Sequence, residues 1–271
     1  MNESTTLFES IPPEISDIIM SLIGDIEYVI MMNICLTWKT IILKSFRERI
    51  IKKNEFIKNA AGMGYLSIVK WARENDYQWD SLTCSSAARG GHLEVLKWAR
   101  AHDCQWDSLT CSSAAFGGHL EILKWARENG CEWNSWTCSY AARGGHLDIL
   151  KWARIHNCEW DSDTCSNAAS GGHLEVLKWA RTHGCGWNCD TCSCAAIGGH
   201  LEILKWANAY GCSWNSWTCY YAAFGGHLEV LKWARAHGCP WDTETCYYVA
   251  AQRGHSEILK WALENGCPNY K

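Results

Sequence analysis

The sequence predicts an all-α solenoid built from stacked helix pairs. Three observations point to it. A Lys-Trp pair recurs with its Trp at Trp71, Trp98, Trp125, Trp152, Trp179, Trp206, Trp233 and Trp261, at intervals of 27 residues and a last interval of 28. A fixed period between about 20 and 50 residues marks an array of small units. Each period also holds two helix-like runs bounded by helix-start and helix-stop residues. Finally, no single unit of this size can bury its own apolar face, so stability must come from stacking. About eight units are expected over residues 54–271, behind a different segment at 10–50.

Composition narrows the function. The chain has 271 residues and a net charge of −4, with acidic and basic residues interspersed in each unit. There is no basic stripe of the kind that nucleic acid requires. Met1–Ser10 carries no positive charge and no apolar run, so no secretory signal is expected. No run of about 18 apolar residues argues for a membrane span. The expectation is a monomeric cytoplasmic protein, with the nucleus as an alternative site.

Of seventeen cysteines, fourteen keep register with the repeat. One series follows Thr (Cys84, Cys111, Cys138, Cys165, Cys192, Cys219, Cys246). The other ends each unit (Cys104, Cys131, Cys158, Cys185, Cys212, Cys239, Cys267). A reducing compartment keeps such thiols free. Packed helices set equivalent residues of successive units about 8–10 Å apart. A disulfide needs Cα atoms within about 7 Å. Same-position cysteines are therefore expected to be unbridged, and to act as small buried apolar groups.

The chain opens on Ile11-Pro12-Pro13-Glu14-Ile15. Apolar residues at Ile15, Ile18, Ile19, Leu22 and Ile23 give one helix face. Gly24-Asp25 breaks it. A second apolar segment runs from Tyr28 to Lys39, and a third, mixed apolar and basic, from Thr40 to Ile51. Residues 11–39 resemble an F-box. Ile11-Pro12-Pro13-Glu14-Ile15 matches the motif's Leu-Pro-Pro-Glu-Leu opening. Ile34-Cys35-Leu36-Thr37-Trp38-Lys39 matches its Val-Cys-Lys-x-Trp-Arg close. Glu27-Tyr28 and Leu36 depart from the pattern. The resemblance implies a small helical module that docks on the adaptor subunit of a cullin-type ubiquitin ligase (an SCF ligase). Its binding residues would be Pro12, Pro13, Ile15, Ile34 and Trp38. A plain cap on the solenoid is the alternative, since end units must hide an apolar face.

Each repeat begins with Asp or Asn at Asp80, Asp107, Asn134, Asp161, Asn188, Asn215 and Asp242. These are preferred N-caps, because the side-chain oxygen satisfies an orphan N–H of the first turn. The first helix then carries Thr-Cys and Ala-Ala, small residues that permit close helix approach. A Gly pair such as Gly117-Gly118 ends it. The second helix reads His-Leu-Glu-Ile-Leu-Lys-Trp-Ala-Arg. Leu120, Ile122, Leu123, Trp125 and Ala126 cover most of its circumference, which predicts burial on nearly all sides. Glu121 near its start and Lys124 and Arg127 near its end suit the helix dipole.

These units resemble ankyrin repeats. Gly-His-Leu-Glu-Ile-Leu-Lys-Trp followed by Gly-Cys-x-Trp-Asn matches the ankyrin run Gly-His-Leu-Glu-Val-Val-Lys-Leu followed by Gly-Ala-x-Val-Asn. Thr-Cys and Ala-Ala stand where ankyrins have Thr-Pro-Leu-His-x-Ala-Ala. An ankyrin unit has about 33 residues. The shortening falls mainly in the hairpin between units, so a reduced or absent β-hairpin is expected. The last unit, Thr245 to His255, restores the ankyrin spacing in its first helix. An F-box joined to compact Trp- and Cys-rich units looks like proteins encoded by large DNA viruses of amoebae, with a host partner in prospect.

Chemistry is sparse. Seven histidines from His92 to His255 follow Gly, one per unit. Zinc needs about four ligands round one ion, usually in close pairs. A His bound to turn backbone is the better reading. Cys189, Cys192 and Cys194 form a lone Cys-x-x-Cys-x-Cys with no second pair, leaving metal binding a distant alternative. No phosphate loop, nucleophile motif or carboxylate pair stands out. No enzyme, cofactor or metal is expected.

Positions that vary between units are the candidates for binding. Resemblance to ankyrins puts the turn and first-helix positions on the target-binding groove. Two windows there are rich in aromatics and Arg, the residue types enriched in hot spots. They are Phe116, Trp136, Tyr140 and Arg143, and Trp217, Tyr220, Tyr221 and Phe224. The function expected is protein–protein interaction: a substrate-recognition adaptor that brings a host target to a ubiquitin ligase, or a scaffold with no ligase link.

Overall fold

The computed structural model describes residues 53–74, 76–241 and 254–267. The segment at 10–50, with Pro12, Pro13, Ile15, Ile34 and Trp38, lies outside the described residues. So do residues 242–253, with the respaced helix of the last unit. The chain divides into two compact units, residues 1–106 and 107–271.

The described residues of the first unit form two helix pairs: α1 (Lys53–Gly62) with α2 (Leu66–Glu74), and α3 (Ser81–Gly90) with α4 (Leu93–Ala101). The second unit continues with α5 (Ser108–Gly117) and α6 (Leu120–Glu128), then α7 (Ser135–Gly144) and α8 (Leu147–Ile155). It goes on through α9 (Ser162–Gly171), α10 (Leu174–Thr182), α11 (Cys189–Ile197) and α12 (Leu201–Ala209). It ends with α13 (Ser216–Phe224), α14 (Leu228–Ala236) and α15 (Ser256–Glu264). No strand occurs among the described residues. The fold is the all-α, ankyrin-like helix-turn-helix array that the repeat predicts, without hairpins.

Local chemistry sets each helix boundary. Asp107 stands in extended conformation before α5, and its carboxylate accepts the Leu109 N–H at 2.9 Å. Asp80, Asn134, Asp161, Asn188 and Asn215 cap their helices in the same way. At the other end of α7 the Gly pair has two separate jobs. A Cβ on Gly144 would lie 2.5 Å from the Phe116 carbonyl oxygen of the preceding repeat. Gly145 has φ near +80°, a conformation that costs glycine little.

Within the second unit the first helices pack closest, α5 on α7, α7 on α9, α9 on α11 and α11 on α13. Their contact faces are small. In α7 the buried residues are Thr137, Cys138, Ser139, Ala141 and Ala142. The second helices meet one another far less. Their buried stripe is narrow: Ile122, Leu123 and Ala126 in α6, and Ile149, Leu150 and Ala153 in α8. Burial on nearly all sides does not occur. Leu120 and Trp125 are only half-buried, because neighbouring second helices stand too far apart to cover them.

Candidate functional site

Three structural ladders recur along the repeats: the His and Trp ladders join one repeat to the next, and the thiol pairs close each repeat on itself. In the first ladder, His146, His200, His227 and His255 reach back one repeat. His146 Nε2 lies 3.0 Å from the Phe116 carbonyl, His200 Nε2 3.1 Å from that of Ser170, and His227 Nε2 3.0 Å from that of Ile197. The ring nitrogen donates there to an otherwise unsatisfied C-terminal carbonyl of a first helix. Burial lowers the His173 pKa, and the nearby His146 and His200 add to that.

The second ladder is made of thiols. The two cysteine series, read separately in the sequence, meet as pairs: Cys111 with Cys131, Cys138 with Cys158, Cys165 with Cys185, Cys192 with Cys212. In each pair the hydrogen bond to the partner thiol, and then burial, push the first cysteine far above the ordinary thiol range. The second thiol also donates to the carbonyl of the N-cap residue 24 positions earlier, as Cys131 does to Asp107 at 3.3 Å. The described cysteines are free, and all are buried except the half-buried Cys189 and Cys194. The Cys-x-x-Cys-x-Cys run is split by the helix: Cys192 pairs inward with Cys212, while Cys194 lies near Asp190 and Asp163. Among the described residues no three His, Cys, Asp or Glu side chains converge as a metal site.

The third ladder was hidden in the sequence. Between second helices the space is filled by tryptophans. Trp133 meets Trp152 edge-on at 5.6 Å, Trp160 meets Trp179 at 5.8 Å, and Trp187 meets Trp206 at 5.6 Å. Arg guanidinium groups lie over the loop tryptophans, Arg127 over Trp133 at 4.4 Å and Arg154 over Trp160 at 4.3 Å. The same guanidinium donates to a cysteine carbonyl, that of Cys131 or Cys158. A recurring Arg six residues before a recurring Trp was the available signal. The pair is broken once, at Asn208 before Trp214.

A row of exposed and half-buried side chains lies on the first helices. Trp136 is 55% exposed and Trp217 53%. Arg143 is exposed, and Phe116 sits edge-on to Tyr140 at 5.9 Å. Tyr220, Tyr221 and Phe224 are half-buried beside Trp217, with ring centroids 5.0 Å (Trp217–Tyr220) and 5.9 Å (Trp217–Tyr221) apart. The residue preceding the buried Thr runs Trp136, Asp163, Asp190, Trp217 over four successive repeats, and all four side chains are exposed. Over these four repeats the exposed row is aromatic at both ends and acidic between.

A family model described as Ankyrin repeats (many copies) matches residues 111–154. This match and the repeated helical units fit an ankyrin-repeat protein, a class of protein–protein interaction scaffold. No curated protein matches the chain. No described helix is long and apolar enough to cross a membrane.

Proposed function

We propose that the chain is a substrate-recognition adaptor: its first-helix row grips a target protein, and residues 11–39 bring that target to a cullin-type ubiquitin ligase of the host. The observation that carries the gripping half is the exposure of Trp136 and Trp217 on helices whose Thr, Cys and Ala residues are buried in the stack. Large aromatics left in solvent at intervals along a rigid scaffold supply area at low entropic cost, the usual make-up of a binding hot spot. The ligase half rests on the F-box resemblance of Ile11–Ile15 and Ile34–Lys39.

The two halves are tested separately. Affinity purification with the full chain from host lysate should recover the ligase adaptor subunit together with a target. Pro12→Ala with Pro13→Ala should lose the adaptor and keep the target, with the melting temperature unchanged. Trp136→Ala with Tyr140→Ala, or Trp217→Ala with Tyr221→Ala, should do the reverse. Each groove variant should weaken target binding by about 2–4 kcal/mol, the hot-spot range. If the wild-type chain recovers no adaptor from a competent lysate, the ligase half is wrong and a scaffold remains. If groove variants bind the target unchanged, the row is not the grip.

A further inference from the structure

Five of the second helices, α4, α6, α10, α12 and α14, carry a Glu–Lys ion pair that α8 lacks. Helix α2, with Ser67 in place of the acid, also lacks it, and its Lys70 lies 5.9 Å from the Trp98 ring centroid. Lys124 pairs with Glu121 at 2.8 Å, Lys178 with Glu175 at 2.8 Å, Lys205 with Glu202 at 2.7 Å and Lys232 with Glu229 at 2.8 Å. In α8 the acidic residue is Asp148, one methylene shorter. Lys151 turns instead to the next repeat, its Nζ 6.0 Å from the Trp179 ring centroid. The same helix ends in Ile155, 77% exposed, where α6 ends in Glu128.

Both departures open on one cavity. It holds about 450 Å³ and is lined by Lys151, Arg154, Ile155, Trp160, Trp179 and His183. The neighbouring repeat supplies an internal control. Its cavity holds about 320 Å³ and is lined by Lys124, Arg127, Glu128, Trp133, Trp152 and His156. There the lysine is neutralised by Glu121 and a second carboxylate, Glu128, is part of the wall. At α8 the wall has two cations, two indoles and an aliphatic side chain, and no carboxylate. Arg154 is held over Trp160, and His183 stacks on Trp179 at 4.2 Å with Nδ1 on the Trp179 carbonyl. These four side chains are therefore held in place, which lowers the ordering cost of binding.

We propose that this cavity binds an acidic segment of a partner protein, through a carboxylate set on Lys151 beside a bulky apolar side chain resting on Ile155 and the two indoles. The site goes beyond the first-helix grip and uses the second helices. Charge complementarity selects the occupant. An unpaired lysine in a chain of net charge −4 is a local attraction and not part of a general basic field. A polyanion such as nucleic acid needs a run of cations along its backbone. The lysines of the neighbouring repeats, Lys124 and Lys178, are already paired with glutamates. A peptide asks for one carboxylate contact and one apolar contact, which is what the cavity supplies.

The test is selection of phage-displayed random dodecapeptides on the full chain, with counter-selection on Lys151→Glu. Enriched peptides are then synthesised and titrated by fluorescence anisotropy. The expected peptides carry Asp or Glu next to a bulky apolar residue. Their affinity should fall at least tenfold in Lys151→Glu and in Ile155→Glu, and at least threefold in Lys151→Ala. Lys124→Glu and Trp136→Ala should stay within twofold, so a failure of the first-helix reading leaves this result intact. Circular dichroism and melting temperature confirm that the exposed substitutions leave the fold unchanged. The proposal is overturned if no enriched class depends on Lys151, if the peptides lack a carboxylate, or if Lys124→Glu weakens them equally. Lys151-dependent binding of an oligonucleotide or of phosphatidylserine vesicles, without peptide binding, overturns it too.

Discussion

At the scale of the residue, Cys131 shows why a thiol and not a methyl recurs at the end of each unit. Its N–H closes α6 on the Ala126 carbonyl at 2.9 Å, its S–H reaches the Asp107 carbonyl at 3.3 Å, and its carbonyl accepts the Arg127 guanidinium. Its sulfur is also the partner of Cys111. Alanine would fill much of the space and leave the N-cap carbonyl with one bond fewer. The thiolate is the reactive form of cysteine. Cys111, Cys138, Cys165 and Cys192 are held in the thiol form by the partner bond and by burial, and their partners are sealed from solvent. Among the described cysteines, Cys189 and Cys194 are half-buried and outside these pairs, and burial pushes the Cys194 thiol up. Brief iodoacetamide treatment of the native protein should therefore alkylate Cys189 first and the paired thiols only after unfolding. Mass spectrometry of the digest reads this directly. Equal labelling of Cys111 or Cys131 with Cys189 would mean that the pairs open readily.

At the scale of the element, the helices were legible because each boundary is local chemistry restated in the repeats from Asp80 to Ala236. Asp or Asn starts the first helix, a Gly pair stops it, and His-Leu starts the second. What contacts across repeats do was less legible. Trp125 belongs to an apolar run, and the run says nothing of how far away the next second helix stands. Spacing is set by the first helices, whose Ala, Ser and Cys faces meet closely. The tryptophans then fill the wider gap on the other side. Of the candidate groove, the exposure of Trp136 and Trp217 followed from their variation between units. The Lys151 cavity did not, since it depends on an ion pair that Asp148 fails to make. The His ladder carries a pH consequence. His173 has its pKa lowered by burial, so the neutral ring is favoured in the fold. Its contribution is complete above the unfolded value of about 6.5 and is lost as pH falls through the lower folded value. The melting temperature should drop between pH 7.5 and pH 5.5, and His173→Gln should drop less over that range. An unchanged slope in the variant would remove His173 from the account.

At the scale of the whole molecule, each described repeat of the second unit rests on its sequence neighbours through first-helix contacts and through the His and Trp ladders. Stability in such an array is close to a sum of repeat terms and nearest-neighbour interfaces. Damage should then spread by adjacency and fade with distance along the stack. Leu150 in α8 is a suitable probe, because it is fully buried in the narrow stripe of a second helix. Leu150→Ala removes that packing and leaves a void, a change that costs about 2–5 kcal/mol in protein cores. Hydrogen exchange on the full chain should show protection lost most in α7 and α8. The loss should be smaller in α5, α6, α9 and α10, whose repeats share interfaces with the damaged one. It should be least in α13 and α14, which are separated from it by two intervening repeats. The groove offers a second readout of the same gradient. Loosening α7 mobilises Trp136 and Tyr140, whereas Trp217 and Tyr221 stay on sound helices. A target gripped at both aromatic ends should therefore keep its contacts at Trp217 and lose them at Trp136. Uniform loss of protection from α5 to α14 would show one all-or-none core in place of nearest-neighbour coupling.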